Sequence, residues 1–314
     1  LSGTYGAFKS EANIKNYAHG MFQSVYDYPY LSSSSNHIFD ITVGVSPQSK
    51  QYLNGTWTTA GMKTKKKKIY NQMSQVLMGY DATGSVLPFD QDGDIIGGGA
   101  KLNEVFIIPF ARLLAKDEIK KETFRMELAV DDAFSSAGLF NKRIIISDVS
   151  ASTQYRVNSP VGEYGILYAT ASSPNQWLKA GKYATGNEQT ASIGGVKYWY
   201  AGLIFYQAGV AVISGSVFNR NTEGGILNDT HVTTSMQLSA SSHTNGFTFI
   251  TGSNIDVVAD GIRNRIYNVQ FNNTIELNST VYFCRVNHNE FNYSANPTYL
   301  SSSQVVVKNQ ATDQ

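Results

Sequence analysis

The strongest constraint on the fold is an alternation of apolar and polar side chains through the middle of the chain. In 123–130, Phe124, Met126, Leu128 and Val130 occupy every second position, so they share one face of an extended strand. A strand with one apolar face is typical of an antiparallel sheet that covers a core. The same tendency appears in 105–108, 143–147, 165–170, 202–206, 210–213, 246–251 and 280–286.

Other segments repeat their apolar residues with the period of a helix. They are 10–26, 65–80 and 254–270, and each predicts an amphipathic helix packed beside the strands. The tripeptide 207–209, Gln-Ala-Gly, separates two strand-like segments and predicts a hairpin turn. The sequence therefore predicts a β-rich α+β fold, an antiparallel β-sandwich of about seven or more strands with a few flanking helices.

The chain has 314 residues, enough for one large domain or two modest ones. We expect an N-terminal helical or mixed segment over 1–85 and a β-sandwich core over 86–252. A helix and C-terminal strands would follow over 253–314. These three segments are expected to pack as one compact unit.

The charge balance bears on the partners of the protein. Lys and Arg number 25 against 24 Asp and Glu, which leaves a net charge of +1. Such a balance provides no field that attracts nucleic acid or an anionic membrane, so we expect neither as a partner. No segment approaches the roughly 20 consecutive apolar residues that a membrane-spanning helix requires.

The one cysteine of the chain, Cys284, lies in the apolar segment 281–286. A free cysteine in an apolar strand is usually a small buried hydrophobe, so we expect an unreactive thiol. His288 and Glu290 lie nearby in sequence, but a thiol nucleophile with a histidine base is the weaker interpretation. The other histidines are scattered without the spacing of a metal site.

A cluster of acidic residues is the one candidate metal site. Asp90, Asp92 and Asp94 alternate around a glycine, a spacing that can place oxygen atoms round Ca²⁺. A complete EF-hand loop needs Gly at its sixth position and Glu at its twelfth, where this chain has Ile95 and Lys101. The sequence leaves open an acidic turn or a weak calcium site, and Ca²⁺ is the only cofactor it suggests.

Two further motifs have a structural and a functional interpretation. The run 65–68 is all lysine, which is typical of a solvated segment or of a patch that meets an acidic neighbour. Tyr198, Trp199 and Tyr200 form either the aromatic face of a strand or a shelf on which a sugar ring stacks. The glycine-rich stretch 97–101 lacks the Ser or Thr that follows the lysine of a phosphate-binding loop.

Several segments together resemble a known family. They are 71–81, 116–121, 158–160, 202–210 and 287–299, the last of which contains the motif Asn-Glu-Phe-Asn-Tyr-Ser. In these segments the chain is similar to virion structural proteins of tailed phages, especially contractile-tailed phages of marine bacteria and cyanobacteria. The resemblance runs from about residue 26 onward, and relatives are expected to extend beyond Gln314.

The resemblance implies a non-enzymatic component of the virion, most specifically a tail or baseplate assembly protein that joins neighbouring subunits. It would be assembled in the cytoplasm of the bacterial host, with other virion proteins and copies of itself as partners. It brings no catalytic or cofactor-binding residues. A receptor- or glycan-binding tail protein and a capsid or neck structural protein are the alternatives.

Aromatic and amide side chains are the candidate interface residues, because such side chains are enriched where proteins meet. They are Tyr198, Trp199, Tyr200, Asn287, Glu290, Phe291, Asn292, Tyr293 and Tyr299.

Overall fold

A computed structural model describes residues 2–3, 11–49, 51–53, 56–58, 64–94, 100–130, 138–171, 190–193, 196–220, 225–227, 246–275 and 279–285. The chain divides into a large compact unit, Leu1–Ile275, and a small unit, Glu276–Gln314. The large unit includes the expected segments 1–85 and 86–252 together with the beginning of the third. In the small unit the described residues 279–285 form no helix or strand.

The described secondary structure consists mainly of strands. In chain order these are β1 (Ser2–Gly3), β2 (Ile14–Asn16), β3 (Gln23–Tyr26), β4 (His37–Val45), β5 (Gln51–Leu53), β6 (Thr56–Thr58), β7 (Glu104–Pro109), β8 (Glu118–Ile119), β9 (Arg125–Ala129), β10 (Arg143–Ser147), β11 (Arg156–Ser159), β12 (Gly162–Ala171), β13 (Thr190–Ile193), β14 (Val196–Phe205), β15 (Val210–Ser214), β16 (Ile266–Gln270) and β17 (Asn273–Thr274). The helices are α1 (Thr64–Leu77), α2 (Arg112–Ala115), α3 (Ala151–Gln154), α4 (Gly246–Gly252) and α5 (Ile255–Arg263), with 3-10 turns at Glu11–Asn13 and Gly215–Phe218.

One antiparallel sheet organises the large unit. Its strand order is β1-β16-β9-β10-β12-β14-β15-β7-β4-β3-β2, with β11 paired to β12 and β13 paired to β14 beside this path. Strands β14 and β15 are joined by a tight turn in which Phe205 pairs with Val210, which confirms the predicted hairpin. Pairs of short strands, β8 with β17 and β5 with β6, complete the described pairing.

The sheet curls until distant strands meet. Five strand-to-strand steps separate β7 from β9 in the sheet order, which would be roughly 24 Å across a flat sheet. Phe110 follows β7 and Phe124 precedes β9, yet their ring centroids are 5.9 Å apart. The ring of Phe271, just after β16, lies 5.0 Å from that of Phe110. The two halves of the sheet therefore face each other, and the predicted β-rich α+β class with a sandwich-like antiparallel sheet is confirmed.

Alternation along the central strands produces two apolar layers. Phe106 and Ile108 of β7 belong to the core enclosed by the curled sheet, which we call the inner core. Val105 and Ile107 of the same strand belong to a second cluster on the other face, which we call the outer core. Both faces of the central strands are thus buried, and the inner core also receives apolar side chains from α4 and α5.

Helix α1 covers the outer core. Its buried residues Ile69, Tyr70 and Leu77 pack in that cluster, as the predicted helix over 65–80 requires. Gly44 in β4 allows the close approach, because a Cβ atom there would lie 3.1 Å from the Cα atom of Tyr70. None of the helices in the described ranges is long and apolar enough to cross a membrane.

The helix predicted over 10–26 is wrong, since this segment forms the β2–β3 hairpin. Ile14 pairs with Val25 across the hairpin, and both side chains are buried. Gly20 closes the turn with φ +58°, a conformation that glycine adopts easily. Ile14 and Val25 are eleven positions apart, which is also about three turns of a helix, so the hairpin pair fits a helical period.

The prediction over 254–270 is half correct. Helix α5 ends at Arg263, and Ile266–Gln270 then forms strand β16 against β9. The strand predicted over 246–251 is wrong, because this segment is helix α4. Asn219 Oδ1 accepts hydrogen bonds from the backbone N–H groups of Gly246 (2.5 Å) and Phe247 (3.3 Å) and so caps the helix.

The expectation of a buried Cys284 is also wrong. The thiol is exposed, and 280–285 of the predicted strand 280–286 form none; residue 286 lies outside the described residues. The neighbouring Tyr282 and Phe283 are exposed as well. The apolar residues of this segment are therefore not part of the described core.

Candidate functional site

The acidic cluster predicted from the sequence assembles in the structure. Asp90, Asp92 and Asp94 each offer a carboxylate oxygen, and these atoms lie within 4.8 Å of one another. Asp90 is buried, Asp92 is half-buried and Asp94 is exposed. The ammonium group of Lys101 lies 2.8 Å from Asp90 Oδ2 and already neutralises part of the negative charge.

Strands β11 and β12 hold the acidic loop from one side. The Arg156 guanidinium donates a hydrogen bond to Asp92 O (3.2 Å), and Tyr164 Oη donates to Gly93 O (3.3 Å). Asn158 Nδ2 also donates to Gly93 O at 3.3 Å. The three carboxylates could supply part of the six to eight oxygen ligands that Ca²⁺ takes. Lys101 and Arg156 compete with a cation there, so an acidic turn and a weak calcium site remain the two interpretations of this loop.

The aromatic run of β14 is divided between two faces of the sheet. Trp199 is buried in the inner core, because alternation along the strand turns it away from its neighbours. It is therefore not available as an interface residue. Tyr198 and Tyr200 are half-buried on the opposite face, with ring centroids 6.2 Å and 5.5 Å from that of Tyr168. These two tyrosines remain interface candidates.

The other interface candidates cannot be placed. Asn287, Glu290, Phe291, Asn292, Tyr293 and Tyr299 lie outside the described residues.

A buried carboxyl that the sequence did not single out is Asp148, which follows β10. Its oxygens accept hydrogen bonds from the backbone N–H groups of Glu122 (2.8 Å) and Phe124 (3.1 Å) and from Tyr206 Oη (3.1 Å). Burial raises the pKa of Asp148 to about 6, although these hydrogen bonds act to lower it. Burial, with the nearby Asp148 carboxylate, also raises the pKa of Tyr206 well above its usual range.

Asp148 borders a cavity of about 590 Å³ between the ends of β9, β10 and β16. Its partners come from segments 24 to 58 residues away in sequence, so no local motif announces the group. Because both carboxylate oxygens accept bonds from within the fold, Asp148 fixes the turn that leads into β9. Lys121 lies close by, paired with Glu163 and 4.5 Å from the ring centroid of Tyr155.

Glu104, at the start of β7, is a second buried carboxyl. Ser49 Oγ donates a hydrogen bond to its Oε1 atom. Burial raises the pKa of Glu104 to about 8. The side chain therefore remains protonated in the folded protein at neutral pH, and it lies in the interior of the fold.

Within the described part of the large unit, the densest group of exposed apolar side chains lies in the loop between β3 and β4. Tyr28 is 59% exposed, Tyr30 is 38% exposed and Leu31 is 85% exposed. We call residues 28–31 the apolar loop. Single exposed apolar residues are ordinary on protein surfaces, but several within four positions are typical of a binding surface.

Asp27 holds the apolar loop in one conformation. Its Oδ1 atom accepts hydrogen bonds from the backbone N–H groups of Tyr28 (2.8 Å) and Asn36 (2.6 Å), and its Oδ2 atom accepts one from Asn36 Nδ2 (2.9 Å). These bonds, led by the side chain of Asn36, lower the pKa of Asp27. On the other side, the N–H group of Tyr30 donates to Ala12 O at 3.0 Å. The loop is thus fixed at both its base and its middle.

Comparison of the chain with protein-family models, with curated proteins and with solved structures finds no match. What the protein does must therefore be inferred from its own residues. Among the described residues of the large unit, the apolar loop is the surface that most clearly departs from an ordinary solvated one.

Proposed function

We propose that this chain is a non-enzymatic structural component of a tailed-phage virion, most specifically a tail or baseplate assembly protein. Its partners would be other virion proteins and copies of itself, assembled in the cytoplasm of the bacterial host. The resemblance of the quoted segments to phage virion proteins supports this proposal. The observation that carries it is a rigid loop that holds Tyr28 and Leu31 in solvent.

The apolar loop has the energetic properties of an interface anchor. Full burial of a leucine side chain contributes about 1.5–3 kcal/mol, and an aromatic side chain of similar exposure contributes a comparable amount. The hydrogen bonds of Asp27 already order the backbone, so less conformational entropy is lost when a neighbour covers it. A pre-ordered apolar loop therefore favours a stable contact between subunits.

The buried carboxyl groups do not suggest a reaction. Asp148 accepts hydrogen bonds from two backbone N–H groups and a tyrosine, and Glu104 accepts one from Ser49. These contacts hold segments of the fold together. We therefore assign structural roles to both residues.

The test is a pair of matched substitutions in a phage that encodes this protein. Leu31→Asn removes the most exposed side chain of the apolar loop. Leu113→Asn makes the same change at a leucine of α2 that is 74% exposed and lies outside the loop. Quantitative mass spectrometry of purified particles should show the chain in many copies, depleted in the Leu31→Asn phage and at its normal level in the Leu113→Asn phage.

Two results would contradict the proposal. Absence of the chain from purified wild-type particles would exclude a virion component. Particles of the Leu31→Asn phage that assemble normally and fail only at adsorption would favour the receptor-binding alternative. Circular dichroism of both purified variants should match the wild type, which separates a lost contact from a lost fold.

A further inference from the structure

A second cavity lies where three segments of the large unit meet. Its volume is about 550 Å³, and its walls come from the β2–β3 hairpin, the start of α1 and the start of α5. We call it the hairpin pocket. Its lining includes Tyr17, His19, Phe22, Lys65, Lys66 and Asp256. Ligand pockets typically enclose 300–1,000 Å³, so this volume suits one or two sugar rings.

The hairpin gives the pocket an aromatic wall. The rings of Tyr17 and His19 are nearly parallel, with an interplanar angle of 6° and centroids 5.1 Å apart. The ring of Phe22 lies 4.7 Å from Tyr17 and 5.1 Å from His19. The three rings support one another, and His19 is the exposed member. Because Tyr17 and His19 already stack together, the wall offers an outer surface and no slot into which a planar base could insert.

The turn of the hairpin determines which ring nitrogen of neutral His19 carries the proton. Its Nδ1 atom accepts a hydrogen bond from the backbone N–H group of Met21 at 3.1 Å. In the neutral ring the proton then resides on Nε2, which becomes a hydrogen-bond donor. The exposed ring therefore offers an apolar face to the C–H groups of a sugar and one N–H donor to a sugar hydroxyl oxygen.

Lys65 places a positive charge at the pocket. Its Nζ atom donates a hydrogen bond to the backbone oxygen of His19 at 2.7 Å, which ties α1 to the hairpin. An ammonium group has three donors, so the same group can also serve a ligand acceptor. Lys66 has a different role, because its buried Nζ atom donates to the carbonyl groups of Ile250 and Ser253 and holds α1 against α4.

We propose that the hairpin pocket binds an acidic sugar, a glycan residue that carries a carboxylate. The C–H face of the sugar would pack on the aromatic wall, and its carboxylate would pair with the ammonium group of Lys65. Lys15, whose Nζ atom lies 4.9 Å from the ring centroid of Tyr17, adds positive charge nearby. Asp256 is the one carboxylate among the described lining residues, and it can accept hydrogen bonds from hydroxyl groups. This site does not depend on the proposed virion role.

The experiment compares binding of digalacturonate and of uncharged digalactose by isothermal titration calorimetry. Wild-type protein should bind digalacturonate more tightly than digalactose. Lys65→Gln should weaken digalacturonate binding by about tenfold or more, the effect of one lost charge-assisted hydrogen bond. Lys68→Gln is the matched control, since it removes the same charge from an exposed position of α1 outside the lining. It should change the affinity less than twofold.

His19→Ala provides the second arm. It removes the exposed ring but keeps the backbone oxygen that holds Lys65, so the folded variant should lose binding of the sugar. Equal losses in Lys65→Gln and Lys68→Gln would mean nonspecific attraction and would overturn the site. Equal binding of the two sugars would overturn the assignment of a carboxylate. Absence of binding to either sugar at 10 mM would overturn the proposal, whatever the outcome for Leu31→Asn.

Discussion

The protonated side chain of Glu104 makes the stability of this protein depend on pH, and Glu104→Gln should remove that dependence. Burial raises the folded-state pKa from 4.5 to about 8. Below pH 4.5 the carboxyl is protonated in both states, so its full contribution to stability is present. As the pH rises, the unfolded chain ionises first, and the contribution is lost by the time the pH passes the folded-state pKa.

The size of the effect follows from the two pKa values. A difference of about 3.5, at about 1.4 kcal/mol for each pKa unit, gives roughly 5 kcal/mol between pH 4.5 and pH 8. Glutamine is uncharged throughout and keeps an oxygen that can accept the hydrogen bond of Ser49. At pH 5 the variant and the wild type should have similar free energies of unfolding. At pH 9 the variant should be more stable by several kcal/mol.

Urea unfolding at pH 5, 7 and 9, followed by circular dichroism, measures this difference. Asp148, whose pKa burial raises to about 6, adds a loss between about pH 4 and pH 6 in both proteins and cancels from the comparison. Glu122→Gln makes the same substitution at an exposed position and serves as the control. Parallel curves for Glu104→Gln and the wild type would refute the argument from burial.

Three further substitutions or reactions have defined outcomes. Gly165→Ala should destabilise the fold by about 2–3 kcal/mol in urea unfolding, because its Cβ atom would overlap Tyr206 Oη and push it from Asp148. Lys66→Met should cost about 2–3 kcal/mol by the same measurement, since it leaves two carbonyl groups near the end of α4 without this donor. Cys284 is exposed and should react stoichiometrically within minutes with a bulky thiol reagent under native conditions; protection of the thiol would show that it is covered.

The sequence predicted the central strands well, although both faces of these strands are buried and their apolar residues do not strictly alternate. Strand β10 has the bounds expected from 143–147, and β7 and β15 extend their predicted segments by one or two residues. The pattern failed at 246–251, where the capping group of α4, Asn219, lies 27 residues earlier. A contact of that kind depends on tertiary structure and leaves no periodic signal.

The candidate sites also differ in whether the sequence could predict them. The three acidic residues of 90–94 could be predicted as a group because they share one short loop. The hairpin pocket could not, since Tyr17 and Lys65 come together only when β2 and α1 are both in place. The helical period assigned to 10–26 also concealed the turn that stacks Tyr17 on His19.

The contact between Phe110 and Phe271 has a consequence for the order in which the protein can fold. The two residues are separated by 161 positions in the chain, so their contact forms only after nearly the whole large unit has been synthesised. At 5–20 residues per second, a ribosome needs about 8–30 s to make the intervening chain. During that time β7 is present while its distant partners are missing. Folding dominated by such long-range contacts is slow, so the apolar side chains of β7 stay uncovered on their inner face during this interval.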